Sequence, residues 1–126
     1  MDPSPAPSAT LDPAALAAIR ELDPDGTAGL LGQVVALYLE ASPGLIGQIR
    51  SGLASHDAGA VRMAAHTLKS SSANVGARRL SELCASLEHA ARDGKLPGDD
   101  AIVERLAREY AAVEQALREA VGKRPA

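Results

Sequence analysis

Apolar residues in this chain recur every three or four positions, and no stretch alternates at a period of two long enough to make a convincing strand. The clearest case is Val61, Ala65, Leu68, Ser72 and Val75. At about 100° per residue these fall within roughly 40° of one line, the natural core face of a helix. The spacing returns in Leu30, Val34, Leu37, Tyr38 and Ala41, continuing through Leu45, Ile49 and Leu53. It returns again in Leu80, Leu83, Cys84, Leu87 and Ala91, and in Ile102 or Val103, Leu106, Tyr110, Val113 and Leu117. Four such stripes joined by short connections predict an all-α fold, an antiparallel four-helix bundle. Composition agrees. Apolar residues make up 46% of the chain without a Trp or Phe, and this Ala-, Leu- and Val-rich content suits close helix packing better than an aromatic-filled sandwich.

The punctuation between stripes sets the boundaries. Residues 1–10 are rich in Pro, Ala and Ser and read as a disordered tail or linker; residues 11–121 carry the bundle; residues 122–126 are expected to fray. A short additional N-terminal helix runs to about Leu22, with Asp12 as its cap, Pro13 at its first position and Leu11 stapled onto Leu16. Asp23-Pro24-Asp25-Gly26 ends it. This acidic turn is no calcium loop, because Ala28 and Val34 stand where an EF-hand needs its Gly and its last Glu. Thr27 is expected to cap the next helix, which Ser42-Pro43 either kinks or divides. Asp57 caps the helix of the clearest stripe, and Gly76 stops it in the left-handed conformation. Asp93-Gly94 ends the following helix, and Asp99 caps the last one after a turn at Pro97-Gly98.

At 126 residues the chain suits one domain, and a net charge of −3 argues against nucleic acid as partner. The lone Cys84 fits a reducing cytoplasm and, lying on a core stripe, reads as a small hydrophobe. No run of about 18 apolar residues predicts a membrane span, and the N-terminus lacks the pattern of a signal peptide. A cytoplasmic monomer is expected.

One residue stands apart from the core face. His66 lies roughly 140° from the stripe of its helix, so it faces water, with Arg62, Lys69, Ser70 and Ala73 as its helical neighbours. An unprotonated imidazole near pH 7 has a nucleophilic nitrogen that can take a phosphoryl group and later surrender it. Lys69, one turn on, is placed to neutralise the incoming charge, and the small Ser70, Ala73 and Gly76 leave room for a large partner. The chain offers no Gly-rich phosphate loop, metal cluster or Glu-x-x-His pair for chemistry of its own. An enzyme using His66 as a base would lack a nucleophile and oxyanion donors. Ser71 and Ser72 read as packing residues, and His56 and His89 have no supporting neighbours.

These residues resemble the histidine-containing phosphotransfer (HPt) domain of multistep two-component signalling. The family pattern is His-x-Leu-Lys-Gly-Ser, a small residue, two variable positions, an aliphatic residue, then Gly-Ala. Here it reads His66, Leu68, Lys69, Ser70, Ser71, Ser72, Val75, Gly76 and Ala77. Leu80, Leu83, Cys84, Leu87 and Glu88 look like the family's next helix, and Tyr38-Leu39-Glu40 with Pro43 extend the likeness over about residues 12–121. Ser70 departs from the commoner Gly. The resemblance implies a phosphorelay carrier without independent catalysis, phosphorylated on Nε2 of His66 by exchange with an aspartyl phosphate on a response-regulator receiver domain. Its partners would be such receivers and a sensor or hybrid histidine kinase. It implies no cofactor of its own, Mg²⁺ belonging to the receiver. Arg62, Met63, Ser70, Ala73 and Gly76 are the expected receiver-docking residues, with basic Arg62 and Lys69 complementing an acidic pocket. The alternative is a docking module that inhibits a receiver or kinase without carrying phosphate; the intact His66 and Lys69 speak against it.

Overall fold

The computed structural model describes residues 10–122, so the expectations for residues 1–9 and 123–126 fall outside it. Five helices follow in order among the described residues: α1 (Pro13–Glu21), α2 (Leu30–Ala54), α3 (Ala58–Asn74), α4 (Arg78–Arg92) and α5 (Ala101–Gly122). No strand occurs among the described residues. The four long helices close a ring, α2 packing on α3, α3 on α4, α4 on α5 and α5 back on α2. Short α1 lies across one end, its Asp12 N–H donating to the Gly76 carbonyl at 2.7 Å and its Arg20 guanidinium reaching the Ala120 carbonyl.

Most helix ends are where the sequence puts them, for the reasons it gives. Asp12 accepts from the Ala14 N–H, Asp57 from the Ala60 N–H and Asp99 from the Ala101 N–H, each satisfying a donor that the first turn leaves without a carbonyl. Helices α3 and α4 stop at glycines in the left-handed region, Gly76 at φ +83° and Gly94 at +71°. In both, the next residue's N–H closes back on the carbonyl five positions earlier, Ala77 on Ser72 and Lys95 on Ala90, each at 2.8 Å. Helix α2 ends with the same bond, from the Asp57 N–H to the Gly52 carbonyl at 2.8 Å, but His56 occupies the left-handed position at φ +55°.

Helix α2 departs from expectation in three ways. Thr27 does not cap it. The helix starts at Leu30 behind left-handed Gly29, and Asp23, seven residues upstream, accepts the Leu30 and Ala28 N–H groups, while Thr27 bonds to Asp25. Nor does Ser42-Pro43 divide it, for Leu30–Ala54 is one helix. Pro43 has no N–H to give the Leu39 carbonyl; the Tyr110 hydroxyl from α5 donates to that carbonyl at 3.5 Å, and Ser42 bonds back to Tyr38 at 2.6 Å. Finally, the buried face passes through Val35, Tyr38, Ser42, Ile46, Ile49 and Leu53, leaving Leu37 68% exposed and Ala41 exposed. The expected stripe shares Tyr38, Ile49 and Leu53 with this face and falls one position short at Val35, Ser42 and Ile46. By length and composition α2 also meets the test for a membrane-crossing helix, which counting unbroken apolar runs does not detect. Its Val35, Tyr38, Ile49 and Leu53 are nevertheless core residues of the bundle.

The stripes of α3, α4 and α5 bury as expected, with Val61, Ala65, Leu68, Leu80, Cys84, Val103, Leu106 and Leu117 fully enclosed, and Val103 rather than Ile102 at the start of α5. Burial pushes the Cys84 thiol up to about 12. Tyr38, also pushed up to about 12 by burial, shares a 2.8 Å hydrogen bond with Ser72, which ties α2 to α3 across the core.

Candidate functional site

Helix α3 turns its second face outward, carrying Arg62, Met63, His66, Ser70 and Ala73, all exposed. Met63 is 73% exposed, an apolar side chain next to Arg62 in the chain. Gly76 does not join this face. It is buried beneath α1, where a Cβ would stand 2.8 Å from the Asp12 carbonyl oxygen, so its part is conformational and the docking expectation for it is corrected.

The chemistry gathers between α3 and α4. Glu88 lies on the buried side of α4, one turn after Cys84 and beside Leu87, and is 5% exposed. A carboxylate so placed needs cations and donors. It has them: Oε1 is 2.6 Å from Lys69 Nζ, Oε2 is 2.9 Å from His66 Nδ1, and Arg92, one turn along α4, stands 3.6 Å from Oε2. The Lys69 ammonium, with help from His66, holds the Glu88 carboxyl below the usual carboxylate range, against the upward push of burial. An ionised carboxylate only accepts hydrogen bonds, so His66 must carry its proton on Nδ1. In the neutral ring the lone pair is then on Nε2, across the imidazole from Glu88, and the side chain is 60% exposed.

The sequence places His66 and Lys69 together, one turn apart, and so they are. It does not anticipate that Lys69 is occupied. The ammonium is paired with Glu88 and is 33% exposed rather than free in solvent. Glu88 and Arg92 are both absent from the expected site. The signal for Glu88 is a charged residue falling on an apolar arc between Cys84 and Ala91. The hydroxyls around His66 are mostly spent within the protein, Thr67 on the Met63 carbonyl and Ser71 on the Leu68 carbonyl. Ser81, from α4, donates to the Lys69 carbonyl of α3 at 3.0 Å and ties the two helices together. His56 and His89 stay outside the cluster; His89 makes an exposed one-turn pair with Asp93.

An exposed imidazole with its proton fixed on the inner nitrogen turns the lone pair of its outer nitrogen toward solvent. Comparison with known proteins gives the same direction: residues 33–116 match the Hpt domain family. The chain belongs to the Hpt family. Histidine-containing phosphotransfer protein B (HptB) from Pseudomonas aeruginosa PAO1 has a crystal structure similar to this one, with a TM-score of 0.76 and 31% identity, covering 92% of this chain and 97% of that one. No curated protein matches the sequence. As an Hpt domain, the protein is a histidine phosphotransfer carrier of phosphorelays rather than an enzyme in the usual sense.

Proposed function

We propose that His66 is the phosphoryl acceptor, and that the protein takes the group from an aspartyl phosphate on a receiver domain and hands it to, or back from, a response regulator. The observation that carries this reading is the Nδ1 contact with ionised Glu88, which leaves the Nε2 lone pair on an exposed ring. The Nε2–P bond forms as the O–P bond of the aspartyl phosphate breaks and the aspartate leaves as a carboxylate. No proton leaves His66. The ring becomes positive while it keeps Nδ1–H, and Glu88 offsets that charge. Lys69 supports the phosphoryl group, and Mg²⁺ is supplied by the receiver, this chain needing no cofactor.

Arg62, Met63, Ser70 and Ala73 form the docking face, Met63 as its apolar anchor and Arg62 complementing the acidic pocket of a receiver. The setting is the cytoplasm, the carrier a monomer, and its partners a sensor or hybrid histidine kinase and one or more receivers. The test is phosphoryl transfer from a panel of phosphorylated receiver domains to the wild-type chain and to His66→Gln. Label that is acid-labile, alkali-stable and lost in the variant is expected. Tight binding of a receiver without transfer would instead establish a docking-only module.

A further inference from the structure

Glu88 meets two cations and an imidazole, yet only two of these three groups are at hydrogen-bond distance. Lys69 Nζ at 2.6 Å and His66 Nδ1 at 2.9 Å are made bonds, whereas Arg92 at 3.6 Å is close but not engaged. Arg92 is 56% exposed, and Glu88 is its one ionic partner among the described residues. The guanidinium and the imidazole thus flank the same oxygen, one committed and one waiting.

Phosphorylation would upset this balance. A phosphoryl group brings nearly two negative charges and three acceptor oxygens. On Nε2 it sits across the ring from Glu88, so a Lys69 ammonium that turns to it draws away from Oε1. That departure takes the shortest bond from a carboxylate that is 5% exposed. A carboxylate buried to that degree and short of cations opposes the move, and the opposition falls on the phosphorylated state.

We infer that Arg92 is the reserve cation of the site: as Lys69 moves from Glu88 to the phosphoryl group, Arg92 closes on Glu88 and keeps it paired. The inference rests on the phosphocarrier reading and deepens it. The closing motion is a shift of about 1 Å, and the planar fork of the guanidinium can engage both carboxylate oxygens, including the one Lys69 vacates. Protons balance without exchange, since Lys69 and Arg92 stay cationic and Nδ1–H stays on the ring against Oε2. Arg92 is therefore a positioning residue that acts through Glu88, without touching the phosphoryl group.

A double-mutant cycle on the full chain tests this, using wild type, Arg92→Ala, Glu88→Gln and the combination. Each is phosphorylated by a phosphorylated receiver domain, and separately by phosphoramidate, whose P–N bond breaks with release of ammonia as the bond to Nε2 forms. Arg92→Ala is expected to lower the equilibrium constant for phosphorylating His66 by about fivefold in wild type, an exposed ion-pair partner acting on a buried group. Arg92→Lys restores most of the loss. In Glu88→Gln, where no buried charge needs a partner, adding Arg92→Ala changes the constant by less than about twofold. An equal loss in both backgrounds would place Arg92 on the phosphoryl group or the receiver and overturn the exchange, as would no loss in wild type. A receiver-specific loss, absent with phosphoramidate, overturns it as well, by making Arg92 a docking residue. Wild type that takes no label on His66 from either donor ends the phosphocarrier reading and this inference with it.

Discussion

Substituting Gly76 by Ala should separate the two things that glycine does here. The first is conformational. At φ +83° any L-residue is strained, by about 1–2 kcal/mol. The second is steric. The new Cβ would lie 2.8 Å from the Asp12 carbonyl oxygen, 3.0 Å from the Asp12 nitrogen and 3.1 Å from the Ala15 Cβ. Two of these neighbours are backbone, so relief requires moving the start of α1, which the 2.7 Å bond from Asp12 N–H to the Gly76 carbonyl holds in place. Losing that bond adds about 1 kcal/mol, for a total of about 2–3 kcal/mol. Gly94 is the internal control: it ends α4 at φ +71° with nothing within 4 Å of its Cβ position. Gly94→Ala should cost only the conformational part, about 1–2 kcal/mol. Urea unfolding of the three proteins, with amide exchange at Asp12 as the local probe, measures both parts. Equal losses for the two variants, with Asp12 still protected in Gly76→Ala, would refute the claim that α1 is docked through Gly76.

Three other outcomes are expected at single sites. His56 holds the same helix-ending position at φ +55° without being glycine, so His56→Gly should raise stability by about 1 kcal/mol, read as a higher melting temperature. Gly52 is buried where α2 meets α3, a Cβ there falling 2.7 Å from Val61 Cγ2 and 3.3 Å from the Val61 nitrogen; Gly52→Ala should lose about 1–3 kcal/mol by overpacking, seen as a lower urea midpoint. The folded-state pKa of Glu88 is depressed below its ordinary 4.5. Its stabilisation is thus complete above that value and lost as pH falls through the depressed one, and Glu88→Gln should flatten the acid limb of the stability profile while leaving its alkaline limb in place.

Helices α1, α3, α4 and α5 could be read from their sequence because their capping is local. Asp57 sits three residues from the N–H it accepts, and Gly76 and Gly94 are each the residue that turns left. Helix α2 resisted because its start and middle are settled by distant groups. Its first N–H is taken by an aspartate seven residues upstream, and the carbonyl its proline leaves bare is met by a tyrosine on α5. A serine on its buried face, satisfied by its own helix, looks in sequence like a break. Local rules find an element whose hydrogen bonds close locally; where a side chain from another helix completes the count, they misplace the face or the cap.

The site divides along the same line. One helical wheel is enough to find His66 and Lys69, since both belong to α3, but Glu88 and Arg92 belong to α4, and their meeting depends on the hairpin between. That hairpin turns at Gly76, with His66 ten residues before it and Glu88 twelve after. At about 1.5 Å per residue the two rise to similar heights on adjacent antiparallel helices. The cluster is therefore implicit in two wheels and one turn, given that the turn neither slips nor lengthens. The same geometry makes the register of the hairpin a condition of the chemistry. One extra residue after Ala77 would move Glu88 by about 1.5 Å and rotate it by about 100° about the α4 axis. His66 would then lose the acceptor that fixes its tautomer, and Lys69 its partner. The tight bonds at the turn, Ala77 to Ser72 and Asp12 to Gly76, thus hold the position of the His66 imidazole ten residues away.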